Sequence, residues 1–349
     1  MQPGAEPLAV GSSAYRPEID ALRAIAVLAV IAHHDGYLAS GFLGGDVFFA
    51  ISGYLITGLL ADGIARNRLS FADFYVRRIR RIVPLSLVSA GVALAAGTVL
   101  MLPDDLENLS QSVVATNLFA NNVLLSITSR NYFDVVNDYK PLMHTWSLGL
   151  EEQYYVLYPL LFLFRSRRAV MLSLVALMVA SIALSVGPFA NAQKFYHLPF
   201  RFDELAIGGV AALALRGRLV WRRWWSPGLL LALVALLTMP LPPVLQPLSP
   251  LLVVCVTAAL LILQNDRHWA APILRHRVLV GVGVISYSLY MWHQLLIAYA
   301  RYAVFPELRP HHTIALFAVT VGLSVLSYRN PGTSVSGLHW SHMGATICR

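Results

Sequence analysis

Charge is what this chain has least of. Only 13% of its 349 residues are Asp, Glu, Lys or Arg, against 57% hydrophobic. A soluble domain carries about 25% charge, so a globular fold clothed in polar side chains is excluded. Cysteine is scarcer still. Cys255 and Cys348 are the only two, which excludes a disulfide framework, and Cys255 sits in an apolar run as a small core residue. Acidic residues number 18 against 26 basic, a net charge of +8. In a soluble chain that surplus would point to nucleic acid. Here it reads as retention of basic loops on the cytoplasmic face, with no nucleic-acid partner. No internal repeat, long linker, low-complexity segment or cleavable leader breaks the pattern. The first apolar run follows the polar "GSSAYRPEID" and reads as a retained helix.

What is present in place of charge is a series of apolar runs near 20 residues, with a mean hydropathy of +0.62. The expected fold is an all-α polytopic integral membrane protein with about ten transmembrane helices. They fall roughly at 20–36, 44–61, 83–102, 148–164, 169–187, 203–215, 228–241, 249–264, 279–299 and 311–327. The semi-apolar 109–127 reads as a surface or re-entrant segment. Charge supports this count. Arg66, Arg68, Arg77, Arg78, Arg80, Arg81, Arg165, Arg167, Arg168, Arg216, Arg218, Arg222, Arg223, Arg267, Arg275 and Arg277 all fall in loops on one side, sixteen of the 26 basic residues. The 103–147 loop on the other side holds Asp104, Asp105, Glu107, Asp134 and Asp138 against Arg130 and Lys140. The positive-inside rule then places the N-terminus in the cytoplasm.

Several polar groups lie inside these runs, where ionisable residues are costly and often functional. Arg23 and His34 are eleven residues apart, three turns plus about 20°, so they share one helix face about 16 Å apart. His33 points about 100° away. Asp20 lies three residues before Arg23 and can pair with it. In "GFLGGDVFFAISGYL", Asp46 sits one turn inside a span and can orient an imidazole. Gly44, Gly45 and Gly53 equally suit small-residue helix packing. In "HTWSLGLEEQYYVLYP", Glu151 and Glu152 follow His144, Trp146 and Ser147 at a helix start, where capping is a competing explanation. Topology brings His34, Asp46 and Glu151 towards one membrane level, a set suited to acid–base chemistry on a hydroxyl. In "FYVRRIRRIVPL", Arg77, Arg78, Arg80 and Arg81 match phosphate geometry, though topology signalling or anionic lipid would also use them.

The stretches "YRPEIDALRAIAVLAVIAHH", "GFLGGDVFFAISGYLIT", "FYVRRIRRIVP", "HTWSLGLEEQYYVLYP", "RFDELAIGGVAAL" and "GVISYSLYMWHQ" occur in order between about residues 15 and 329. Together they resemble the acyltransferase 3 family, the O-antigen acetylase-like membrane acyltransferases. The resemblance implies a ten-helix enzyme of the inner (plasma) membrane. It would move an acyl group, commonly acetyl, from cytoplasmic acyl-CoA to an extracytoplasmic carbohydrate hydroxyl, with lipopolysaccharide, peptidoglycan, an exported glucan, a lipid and a secondary metabolite all open as acceptors. Partners would be bilayer lipid, acyl-CoA and the carbohydrate acceptor, with no metal. The family's basic-x10-His pattern falls on Arg23 and His34. Its FF-x-x-SG-[FY] element falls on Phe48, Phe49, Ser52, Gly53 and Tyr54, its SL-x-x-E glutamate on Glu151, and its arginine-rich loop on Arg77 to Arg81. The expected catalytic set is thus His34, Asp46 and Glu151. Arg23, Arg77, Arg78, Arg80 and Arg81 are expected to bind acyl-CoA. Ser52, Gly53, Tyr54, His144, Trp146 and Glu152 are expected to line the substrate site.

Residues 1–14 read as a disordered tail, 15–329 as the membrane domain, and 330–349, where "NPGTSVSGLHWSHMGATICR" loses helical periodicity, as a second disordered tail. The competing functional class is a transporter or flippase for a lipid-linked sugar or acyl group, its His, Asp and Arg forming a proton or substrate path. A sensor or scaffold with relict motifs is a third.

Overall fold

The computed structural model describes residues 15–129, 132–133, 135–164, 166–189, 191–215, 225–262, 269–304 and 307–329. Both tails, with Cys348, lie outside the described residues, as do Arg130, Asp134, Arg165, Arg216, Arg218, Arg222, Arg223 and Arg267. All regular structure among the described residues is helical.

The chain opens with α1 (Pro17–His34), whose proline at the first helical position needs no hydrogen-bond acceptor for a missing N–H. A 3-10 turn, Gly41–Leu43, leads into α2 (Gly44–Ala65). Next is α3 (Phe71–Leu100), capped by the Ser70 hydroxyl, which accepts from the Asp73 N–H at 3.2 Å. The 109–127 stretch becomes α4 (Pro103–Asn117) and α5 (Asn121–Thr128), hinged where Phe119 takes φ 53°. The helix α6 (Thr145–Leu157) tightens into a 3-10 continuation, Tyr158–Phe164. A 3-10 turn rises about 2.0 Å per residue, so residues 145–164 reach about 33 Å, a bilayer core's thickness. Then follow α7 (Arg167–Val186), α8 (Asn191–Tyr196), α9 (Leu198–Val210), α10 (Trp225–Thr238), α11 (Ser249–Ile262) and α12 (Ala271–Leu274). The last three are α13 (Arg277–Val284), α14 (Ser286–Ala303) and α15 (Pro310–Arg329).

Several of these helices have the length and hydropathy of membrane spans. They are α2 with its preceding turn, α3, α7 and α15, and the pair α13–α14 if taken together across its 68° bend. This is a multi-pass membrane protein. The run expected at 203–215 is a 13-residue α9 extended by a π turn, Ala211–Leu215, and the runs at 228–241 and 249–264 are 14-residue helices. The helix α1 has span length, but Glu18, Asp20 and Arg23 occupy its first two turns. Only 17% of the apolar window of α7 and 22% of that of α15 is buried, as expected for helices whose flanks meet lipid.

Small residues fix the packing around α2. Gly44 abuts the Ala26 carbonyl of α1. On another face of α2, Gly53 meets the Leu205 carbonyl while Gly208 of α9 meets the Ala50 carbonyl. A Cβ at either Gly53 or Gly208 would occupy the space of that oxygen, so α2 and α9 touch backbone to backbone. The core runs along this seam, through Phe49, Ile56 and Leu60 to Tyr154, Tyr158 and Leu205.

Candidate active site

Five helices, α1, α2, α3, α6 and α14, enclose a cavity of about 740 Å³, counting its mouth. Its apolar lining is Phe48, Ile51, Leu55, Ile56, Ile82 and Leu148. Its polar lining includes Arg23, Arg78, Arg81, Glu151, Ser52 and Tyr155. Helical spacing explains the selection. Arg78 and Arg81 are three apart and share a face, whereas Arg77 and Arg80 point about 100° away. Arg77 and Arg80 do not line the cavity, and Arg80 is exposed. Arg78 lies over the Tyr155 ring at 4.7 Å and over Phe74 at 5.7 Å. Arg23 pairs with Asp20 at 3.5 Å, as its spacing implies.

The face of α6 that enters the cavity carries Ser147, Glu151 and Tyr155, each four residues apart. Glu151 does not meet His34. It accepts from the Ser52 hydroxyl at 3.0 Å, and the Tyr155 hydroxyl lies 2.9 Å from Ser52 Oγ and 3.2 Å from Glu151 Oε2. Glu152, one residue on, lies in electrostatic reach of Arg78 and Arg81.

A second polar cluster sits at the far end of α1. The buried His34 ring faces His293 at a centroid distance of 5.3 Å, and His144 faces His293 at 5.2 Å. His33 stands edge-on to His34 at 5.5 Å, and its Nδ1 donates to the Leu38 carbonyl at 2.9 Å, which ties it to the following turn. Arg301 holds the end of α1, donating to the His34 carbonyl at 2.7 Å while pairing with Asp138 at 3.1 Å. Burial pushes the neighbouring Asp35 carboxyl, beyond the helix, up to about 6, against the pull of Arg301. Tyr290 separates the two clusters. It lines the cavity, packs against His144 at 5.0 Å, and its hydroxyl bonds the His144 carbonyl and the Ser147 hydroxyl, the latter at 2.8 Å.

Asp46 is corrected. It does not orient a histidine; its partner is Arg201 of α9, which also pairs with Glu204 at 3.2 Å. Asp46 is two residues past Gly44, about 200° round the helix, so it faces away from α1. Gly53, seven residues further, returns to that same face and forms the α9 contact. Tyr54 bonds Arg16 at 3.0 Å, and Trp146 packs on Phe195 at 4.6 Å and under Arg201 at 5.8 Å. Gly53, Tyr54 and Trp146 therefore support the seam and do not line the cavity. His144 joins the histidine cluster. Sequence reasoning missed Arg201, Tyr290 and His293. The signal for the last two was their three-residue spacing in "SYSLYMWHQ", which puts both on one face of α14. Among the described residues, no group of His, Cys, Asp or Glu is arranged to hold a metal ion.

Residues 16–329 match the family model described as "Acyltransferase domain". The chain is 32% identical over 313 residues to "Putative peptidoglycan O-acetyltransferase YrhL" of Bacillus subtilis, covering 80% of this chain and 48% of that protein. It is 27% identical over 359 residues to "Putative O-acetyltransferase SAS0844" of Staphylococcus aureus, covering 90% and 56%. A 151-residue stretch, 42% of this chain, is 38% identical to 24% of "Peptidoglycan O-acetyltransferase OatA" of Listeria monocytogenes. The chain spans about half the length of the first two relatives. No solved structure matches it. The sequence motifs and the match over residues 16–329 agree, and the chain belongs to the acyltransferase 3 family of acyltransferase domains.

Proposed function

We propose that this chain is a multi-pass O-acyltransferase of the plasma membrane, moving an acetyl or similar acyl group from cytoplasmic acyl-CoA to a glycan hydroxyl on the outer face. The relatives' names favour a cell-wall glycan, peptidoglycan, over lipopolysaccharide as acceptor. The observation that carries this reading is the division of one helix. At one end of α1, Arg23 joins Arg78 and Arg81 in a cavity; at the other, His34 sits in a buried histidine cluster. With the N-terminus cytoplasmic and ten crossings, counted with the short helices and the bent pair, the basic cavity faces the donor and the histidines face the acceptor.

The three guanidinium groups suit a phosphorylated donor, because they pair with phosphate oxygens and lose strength only slowly in a low-dielectric cavity. The donor's long pantetheine arm spans the roughly 16 Å from the Arg23 level to His34, passing Tyr290. There a ring nitrogen of His34 takes the proton of the acceptor hydroxyl. The oxygen bonds to the thioester carbonyl carbon, the carbon–sulfur bond breaks, and the thiolate leaves and is protonated. The ester stays on the glycan. Bilayer lipid surrounds the outward flanks of α7 and α15.

The test is thiol release by purified protein given acetyl-CoA and soluble peptidoglycan fragments, with acetyl esters identified by mass spectrometry. Wild type should release thiol and ester in equal amounts, and His34→Ala and Arg23→Ala should do neither. Movement of a lipid-linked sugar across vesicles without acyl-CoA turnover would instead establish the transporter reading.

A further inference from the structure

The carboxylates that a histidine base would ordinarily use as its orienting partner are both engaged elsewhere. Asp46 pairs with Arg201, and Glu151 accepts from Ser52. The side chain facing His34 from the neighbouring helix is His293. We propose that His293 is the positioning residue for His34, in the place a carboxylate holds in a serine-hydrolase triad. The inference rests on the reading of His34 as the base.

Two observations support it. The first is the tautomer. His293 Nδ1 lies 2.7 Å from the Tyr290 carbonyl and 3.2 Å from the Leu289 carbonyl. A carbonyl only accepts, so Nδ1 carries the hydrogen and Nε2 keeps its lone pair. The second is that Nε2 is buried with no hydrogen-bond partner, on a residue with no solvent exposure. A buried acceptor left unpaired is costly and calls for a partner that is absent at rest. His34 supplies one. At a centroid distance of 5.3 Å, ring nitrogens turned towards each other along the line of centroids come within hydrogen-bond reach, about 3 Å. When one His34 nitrogen takes the hydroxyl proton, the other is an N–H donor aimed at His293 Nε2. The imidazolium is then stabilised by hydrogen bonding and held in one orientation. No proton passes to His293. The helix α14 is suited to the task, since the stripe that places Tyr290 on the cavity wall places His293 one turn further, between His34 and His144.

The test uses three variants of the full chain. His293→Gln puts an amide near the ε position and can still accept there; His293→Asn reaches only the δ position; His293→Phe keeps volume and removes both. Orienting groups of this kind contribute about 10²–10⁴-fold. The expected result is a kcat loss of about 10²-fold or more for Phe and Asn, with partial recovery in Gln. The KM for acetyl-CoA should stay within about twofold, because the basic cavity is untouched. Equal kcat for wild type and His293→Phe, or equal losses in Gln and Asn, would overturn the proposal while leaving acyl transfer itself standing. A wild type that transfers no acyl group would instead overturn the functional reading. Histidine-selective ¹⁵N NMR decides the structural claim regardless of activity. It should show His293 protonated on Nδ1 and the His34 ring signals moving in His293→Gln; a proton on Nε2 would overturn the assignment.

Discussion

The buried triad of Asp46, Arg201 and Glu204 makes the sharpest prediction about what is scaffold and what is chemistry. Its side chains are 2%, 12% and 4% exposed. Replacing Arg201 with Met strands two carboxylates at the α2–α9 seam. Breaking a buried pair by removing one partner costs about 3–5 kcal/mol. The guanidinium also lies 5.2 Å from the Phe195 ring and within 6 Å of Phe49 and Trp146, contacts worth about 0.5–1 kcal/mol each. Asp46→Asn is milder. Its amide oxygen still accepts from Arg201, and Glu204 keeps its contact with the guanidinium, so the loss is about 1–2 kcal/mol. Thermal unfolding of the purified variants should therefore rank wild type above Asp46→Asn and Asp46→Asn well above Arg201→Met. Acetyl transfer by Asp46→Asn, measured well below its unfolding temperature, should stay within about threefold of wild type. An Asp46→Asn protein of unchanged thermal stability whose kcat has fallen a hundredfold would refute the reasoning and return Asp46 to the catalytic set.

Other outcomes follow from single features. Gly53→Ala and Gly208→Ala each drive a methyl group into a carbonyl of the facing helix; both should lose the monodisperse peak in size-exclusion chromatography, while Gly45→Ala, with open space around it, should not. Arg78→Ala and Arg81→Ala should each weaken acetyl-CoA binding about tenfold or more, since a charge-assisted hydrogen bond is worth about 1.5–3 kcal/mol. Arg77→Ala and Arg80→Ala should stay within about twofold, as competition binding would show. Asp35 has a carboxyl raised from 3.8 to about 6 by burial. The folded state therefore binds a proton there more tightly than the unfolded state, and stability falls as pH rises between those two values. Asp35→Asn should flatten the pH dependence of the unfolding temperature across that window and leave the variant no less stable than wild type above it.

How much of this was legible beforehand depended on distance along the chain. Contacts within one helix were readable from 3.6-residue periodicity. The Asp20–Arg23 pair follows from angles along α1, and the same angles put Arg23 and His34 on one face. The same angles separate Arg78 and Arg81 from Arg77 and Arg80, although the sequence offers no way to say which pair turns inward. Contacts between helices were not readable. Asp46 sits in the same short stretch as Ser52, yet the two face different neighbours, because Gly53 and Gly208 lock one face of α2 onto α9. Its partner Arg201 is 155 residues away in sequence. His293 likewise needed the approach of α14 to α1. Glu151 lines the cavity, but its partner Ser52 is 99 residues distant. Several apolar runs fold as helices shorter than a full span, since hydropathy alone does not show where a helix bends, tightens into 3-10 geometry or stops.

The central claim is transfer across the membrane between two ends of one helix, and sidedness tests it most directly. Inverted membrane vesicles containing the protein would be loaded with unlabelled peptidoglycan fragments and given acetyl-labelled acetyl-CoA outside, at the cytoplasmic face. The account predicts labelled acetyl esters on the enclosed fragments, an equal amount of free thiol outside, and neither in vesicles carrying His34→Ala. Enclosed fragments that stay unlabelled while externally added fragments become acetylated, or full labelling by His34→Ala, would contradict it.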